Sequence, residues 1–284
     1  MRLVIWLSVC LLTACGGGGG GAPTPASQPQ PATPTPEPIS VPVPGQNIVS
    51  QTINGQLVDR TFLIRAPEEQ TNNSYPVVFF FHGAGGSGEA VLSNNPDISA
   101  LIDAGEFIGI FPDGYEQRWN VSGETNADDV AFVSLIINSL DADSSFNLDR
   151  VYGVGISNGA GLVNKIAKEA SVFSGIAPLI SQQTVATGET VPSQALSVFQ
   201  VNGTDDELVP LNGGIGVADS DFMSAQDSAE NWASNFNCEM TPPSRSTTWG
   251  ERSVEEVTFT GCLDNKKVRY FIAEDTGHSP EFGE

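Results

Sequence analysis

Histidine is nearly absent from this chain: among 284 residues there are two, His82 and His278. With so few imidazoles and four cysteines, the sequence cannot easily assemble a metal site, and no metal or organic cofactor is expected. Basic residues are also scarce. Twelve lysines and arginines stand against 34 acidic residues, a formal charge of -22, which argues against nucleic acid or another polyanion as partner and favours a well-solvated surface. No internal repeat is visible, and no apolar run is long enough for a permanent membrane span.

What is present begins with an export signal. Arg2 supplies a positive start, Leu3 to Leu12 a short apolar run, and Leu12-Thr13-Ala14-Cys15 its end. Residues 1–14 resemble a bacterial lipoprotein signal peptide, with Cys15 as the lipidated first residue that holds the protein at the membrane; an ordinary secretory signal cleaved nearby is the alternative. Residues 15–45 are glycines followed by a proline- and threonine-rich stretch, a composition that cannot bury enough apolar surface to fold. They read as a tether between an envelope anchor and a folded domain at 46–284. Export also suits Cys238 and Cys262, the two cysteines left for that domain, which most simply pair as a disulfide.

Within the domain, Ile48–Ile53 and Gln56–Arg65 are two strands joined at Asn54-Gly55, a dipeptide favoured in tight hairpins. Pro76–Phe81 is apolar throughout, as a strand covered on both faces must be. The pattern then alternates. Further strands are expected at 106–111, 151–154, 174–180, 195–201 and 267–272. A helix opens at Asp128-Asp129 with Val130, Val133, Ile137 and Leu140 on its buried face, another follows residue 157, and a third spans 222–237. A polar loop runs from there to Cys262. Strand, loop and helix in repetition predict an α/β fold with a mostly parallel sheet flanked by helices and no large lid insertion.

The chemistry centres on Gly155-Ile156-Ser157-Asn158-Gly159, set between a strand and a helix. A serine on so tight a turn presents its Oγ clear of the sheet, and the amide of Asn158 can donate to an oxyanion. A second donor is expected from the small-residue loop His82-Gly83-Ala84-Gly85-Gly86, at Ala84 with Gly83 and Gly85 as neighbours of the same kind. His82 is read as a support of this loop on the substrate-binding side, or as a buried histidine satisfied by backbone. Trp119 admits two roles, lining a substrate pocket or packing in the core. A serine nucleophile needs a base, and with His82 assigned to the loop, His278 is the base that remains; an acid at Asp205 or Asp206 would orient it. Ser157, Asp206, His278 is the chain order of α/β-hydrolases.

Taken together, Phe81-His82-Gly83, Phe111-Pro112-Asp113-Gly114, Asp128 to Val133, Asp149 to Tyr152 running into the serine motif, Gly203-Thr204 with Asp206 and Val209-Pro210, Trp232 before Cys238, and Gly277-His278 resemble the polyhydroxybutyrate depolymerase and feruloyl or acetylxylan esterase group of α/β-hydrolases. The likeness covers about Arg60 to His278 and selects Asp206 over Asp205 by its distance to Val209-Pro210. It implies a serine esterase acting on carboxylic esters of a polymer, a polyhydroxyalkanoate-type polyester or a feruloylated or acetylated polysaccharide, which the absence of a large lid suits; the protein is expected to be exported and monomeric. A peptidase or dienelactone-type hydrolase on the same fold and a silent tethered binding module are the alternatives. Two departures stand out: Asn202 where the group has histidine, and Ser279-Pro280-Glu281 where it has a Trp-Pro-Gly type sequence. The group also continues into a closing helix beyond this point, so truncation of the domain at its C terminus is an open expectation.

Overall fold

The computed structural model describes residues 42–68 and 74–279; the expected signal, Cys15, the tether as far as residue 41 and the last five residues lie outside them. Strand β1 (Gly45–Ile53) and β2 (Gln56–Arg65) form the expected hairpin. Asn54 and Gly55 both take positive φ, 52° and 76°, the geometry that makes Asn-Gly the favoured pair there. Strand β3 (Tyr75–Phe81) follows, then helices α1 (Gly88–Asn94) and α2 (Pro96–Asp103), and strand β4 (Ile108–Pro112), every residue of which is buried.

Helix α3 (Asp129–Leu140) starts at the Asp128 cap, whose side chain accepts from the amide of Ala131. Its buried face is turned from the expected one. Phe132, Val133, Ile136 and Leu140 are fully covered, whereas Val130 and Ile137 are only half-buried. Arg60 explains the offset: its guanidinium lies 3.9 Å from the centre of the Phe132 ring and bonds the buried Asp129, so the first turn faces β2. Next come β5 (Phe146–Ile156), α4 (Asn158–Glu169), β6 (Gly175–Leu179), α5 (Val185–Glu189) and β7 (Ser197–Gly203).

The short strands β8 (Gly214–Ile215) and β9 (Asp221–Phe222) pair with each other, and α6 (Ala225–Asn235) begins at a Ser224 cap. Phe222, expected in that helix, instead bridges Thr184 as an extended residue. A larger correction concerns the stretch before Cys262. It is not a polar loop but β10 (Ser244–Trp249) and β11 (Arg252–Phe259), an antiparallel hairpin. Its polar sequence is that of a sheet edge, where alternate residues face water and even the inward Glu256 is held by Arg245 and Arg269. The disulfide Cys238–Cys262 is formed and ties the end of α6 to the base of this hairpin; closing a loop of that length contributes roughly 3 kcal/mol.

Strand β12 (Val268–Ala273) completes one sheet, in the order β1-β2-β4-β3-β5-β6-β7-β12-β11-β10. The six strands from β4 to β12 in that order are parallel, and antiparallel pairs close both ends. This is the α/β-hydrolase fold, with a crossover at β3 that gathers the loops following the strands' carboxyl ends into one crevice. Trp119, Phe79, Phe81, Phe132, Phe173 and Trp232 fill the principal core.

Candidate active site

Ser157 follows β5 directly and opens α4 with φ 55° and ψ -117°, a conformation that costs a non-glycine residue of order 1–3 kcal/mol. Two glycines make the turn possible. A Cβ on Gly155 would stand 2.2 Å from the carbonyl oxygen of Gly159, and one on Gly159 would stand 2.3 Å from that of Phe81. The turn is held from beneath by the Ser157 amide, which donates to the Leu179 carbonyl at 3.0 Å. The positive end of the α4 dipole therefore points at the serine.

The Ser157 hydroxyl lies 2.7 Å from His278 Nε2, and His278 Nδ1 lies 2.7 Å from Asp206 Oδ2. A carboxylate only accepts, so the imidazole proton is on Nδ1 and Nε2 is the acceptor facing the serine. The second oxygen of Asp206 accepts from the amides of Leu208 and Val209, both at 2.9 Å. Asp205, the alternative acid, is exposed and bonded by its neighbour Thr204. What brings Asp206 and His278 together is the seam between the β7 and β12 loops: the Asp205 amide donates to the Thr276 carbonyl, and Gly203 is so close to Thr276 that a Cβ would stand 2.1 Å from its oxygen.

Ala84 and Asn158 line the same cavity of about 170 Å³ as Ser157. Among the described residues, no hydrogen bond engages the backbone amide of either. Gly85 is removed as an alternative donor, because its amide is spent on the Gln117 carbonyl at 2.8 Å. Two free amides beside a serine hydroxyl are an arrangement that can receive an oxyanion.

Trp119 and His82 do not line this cavity. Trp119 is fully buried, edge-on to Phe81, and its indole N–H donates to the His82 carbonyl at 2.8 Å. The substrate-lining role is thereby corrected to a core role beneath the oxyanion loop, forced by the partner that a buried indole N–H needs. His82 is likewise buried. Its Nδ1 proton is donated to the Gly83 carbonyl and its Nε2 accepts from the Gly114 amide, so it stands behind the loop and does not contact substrate space. Burial lowers its pKa against the smaller raising effects of Gly83, Asp113 and Asp129. Protonation would also set a second N–H against that of Gly114. A depressed histidine contributes stability above the unfolded value near 6.5 that is lost as pH falls below it, since only the unfolded chain takes the proton readily. The free energy of unfolding should fall between pH 6.5 and 5.5, and urea titrations at both values should show this fall reduced in His82→Gln.

Several supporting residues escaped the sequence reading. The Asn158 side chain clamps Trp119 at both ends, accepting from its amide at 2.7 Å and donating to its carbonyl at 3.0 Å. Asp129 accepts from Arg60 and from the Asn120 amide, both at 2.7 Å; burial raises its pKa, and those two partners oppose the rise. Asn202, at the position where histidine was expected, joins a buried amide network: it donates to Gln182 and accepts from Gln200, and Gln182 in turn donates to the Pro210 carbonyl below the acid-bearing loop. Glutamines 182, 183 and 200 in an apolar context were the available signal. Among the described residues, no group of three metal-ligating side chains converges.

No family model matches the chain. In sequence it is 27% identical over 230 residues to a probable feruloyl esterase C from Aspergillus clavatus, covering 77% of this chain and 75% of that protein. It is 26% identical over 233 residues to a probable feruloyl esterase C from Aspergillus niger, covering 78% and 77%. Among solved structures, an acetyl xylan esterase from Aspergillus awamori superposes with a TM-score of 0.59 at 13% identity, over 82% of this chain and 94% of that one, a likeness of fold.

Proposed function

We propose that this chain, a carboxylic ester hydrolase of the feruloyl and acetylxylan esterase-like α/β-hydrolases, works by acyl transfer through Ser157, with a polysaccharide ester as substrate. The observation that carries the mechanism is the continuous hydrogen-bonded chain from Ser157 through His278 to Asp206 beside two unengaged amides. His278 Nε2 takes the hydroxyl proton as Oγ attacks the ester carbonyl. Asp206 holds the imidazole and stabilises its charged form, and the amides of Ala84 and Asn158 receive the oxyanion. His278 then returns the proton to the leaving alcohol. A water activated by the same imidazole releases the acid and restores the serine.

Feruloyl and acetyl esters of a polysaccharide are the favoured substrates, on the strength of the relatives' names and of a cavity walled by Val121, Val209 and Phe222 that suits an apolar acyl group. The signal-like N terminus and the disulfide support export, and lipidation of Cys15 would keep the enzyme at the envelope. The test is a panel of feruloylated and acetylated saccharides, a hydroxyalkanoate polyester and an amide analogue, assayed with labelling by a serine-directed phosphonate. Ester cleavage with the label at Ser157 is expected. Polyester cleavage without saccharide cleavage would displace the substrate, and amide cleavage at a comparable rate would displace the reaction class.

A further inference from the structure

Arg118 lines the Ser157 cavity, and among the described residues its guanidinium has no hydrogen-bond or ion-pair partner. Arg150, Lys266 and Lys267 likewise have no such partner among the described residues, but of the residues that line this cavity Arg118 is the sole cation. Arg60, Arg65, Arg245 and Arg269 each hold a carboxylate, and Lys165 and Arg252 hold backbone carbonyls. Glu124 lines the same cavity but forms no ion pair with Arg118; its Oε2 accepts from the amides of Val121 and Ser122.

The backbone that carries Arg118 is fixed on both sides. Its amide donates to the Tyr115 carbonyl at 3.1 Å, in a turn so tight that a Cβ on Gly114 would stand 2.5 Å from the Arg118 oxygen. The residue before it, Gln117, holds the oxyanion loop through Gly85, and the residue after it, Trp119, is clamped by Asn158. The backbone that bears the cavity's cation is thus held in register with Ser157 and both oxyanion donors, while Arg118 itself is exposed. A formal charge of -22 repels anionic substrates at long range, but salt screens that field beyond about 10 Å at 0.1 M. At contact the planar guanidinium fork, which matches a carboxylate in two parallel hydrogen bonds, decides.

Resting on the esterase reading, we propose that Arg118 is a specificity-determining residue that selects esters bearing a carboxylate next to the scissile bond. The carboxylate can belong to the acyl group, as in a dicarboxylic half-ester, or to the alcohol, as in an acylated uronic acid. Two substrate pairs separate these sources: nitrophenyl hemisuccinate against nitrophenyl butyrate, and acetylated methyl glucuronoside against acetylated methyl glucoside. The quantity read is the ratio of kcat/KM for the charged over the neutral member. In Arg118→Gln that ratio should fall about 10- to 100-fold in one pair, which names the side, with partial recovery in Arg118→Lys and a smaller effect in high salt. Ratios unchanged in both pairs overturn the proposal. The esterase reading fails separately, if the neutral esters are not cleaved or are cleaved equally by Ser157→Ala. In that event calorimetry of succinate and glucuronate with Ser157→Ala still decides: binding lost on adding Arg118→Gln supports the selection, and no Arg118-dependent binding overturns it.

Discussion

Replacing Ser157 with alanine is expected to lower kcat on a short-chain nitrophenyl ester by about 10⁴-fold or more and to leave the fold intact. The two halves of this expectation have different physical sources. Loss of rate follows because, among the described residues, no other hydroxyl is hydrogen-bonded to His278, and the amides of Ala84 and Asn158 alone retain only the catalysis that binding and oxyanion stabilisation provide. Retention of fold follows because the turn is made by its glycines. The close approaches of Gly155 to Gly159 and of Gly159 to Phe81 are untouched, and the change removes a single partly buried hydrogen bond to His278, worth about 1 kcal/mol. Circular dichroism and a thermal melt alongside the assay check both halves. A variant that folds like the parent and keeps more than a few per cent of its rate would remove Ser157 from the mechanism.

Asp206→Asn should lower kcat by about 10³- to 10⁴-fold, and Asp205→Asn should change it by less than about threefold. An asparagine at 206 can still accept through its carbonyl oxygen, but its amide nitrogen can also face the ring. That nitrogen favours the imidazole tautomer with the proton on Nε2, which cannot accept from the serine. Steady-state kinetics of the two variants on one ester decide between Asp206, which the family likeness selects, and its neighbour Asp205. A large loss at Asp205 with little at Asp206 would reverse the assignment.

That pair illustrates where sequence legibility ends. Gly155-Ile156-Ser157-Asn158-Gly159 declares itself locally, because a strand, a strained turn and a helix are all properties of adjacent residues. The acid does not. Asp205 and Asp206 share a loop, and only the packing of the β12 loop on Gly203 turns one toward His278 and leaves the other in water. Trp119 is a similar case, since an aromatic after a strand suits a pocket wall or a core equally until its indole N–H finds the His82 carbonyl. The β10–β11 hairpin was missed because edge strands facing water carry the polar composition of loops.

The sequence by itself determined strands β1 to β7 and β12, helices α3, α4 and α6, the Asn-Gly hairpin, the two glycines of the serine turn and the scarcity of histidine that pointed to His278. Each depends on a few contiguous residues or on composition, where backbone sterics and hydrophobic periodicity act directly. Tertiary structure alone decided that Trp119 packs in the core, which amides of the glycine loop stay unengaged, and that Arg118 lines the cavity without a partner. These depend on contacts between loops tens of residues apart, brought to one edge by the parallel sheet, and no local pattern encodes them.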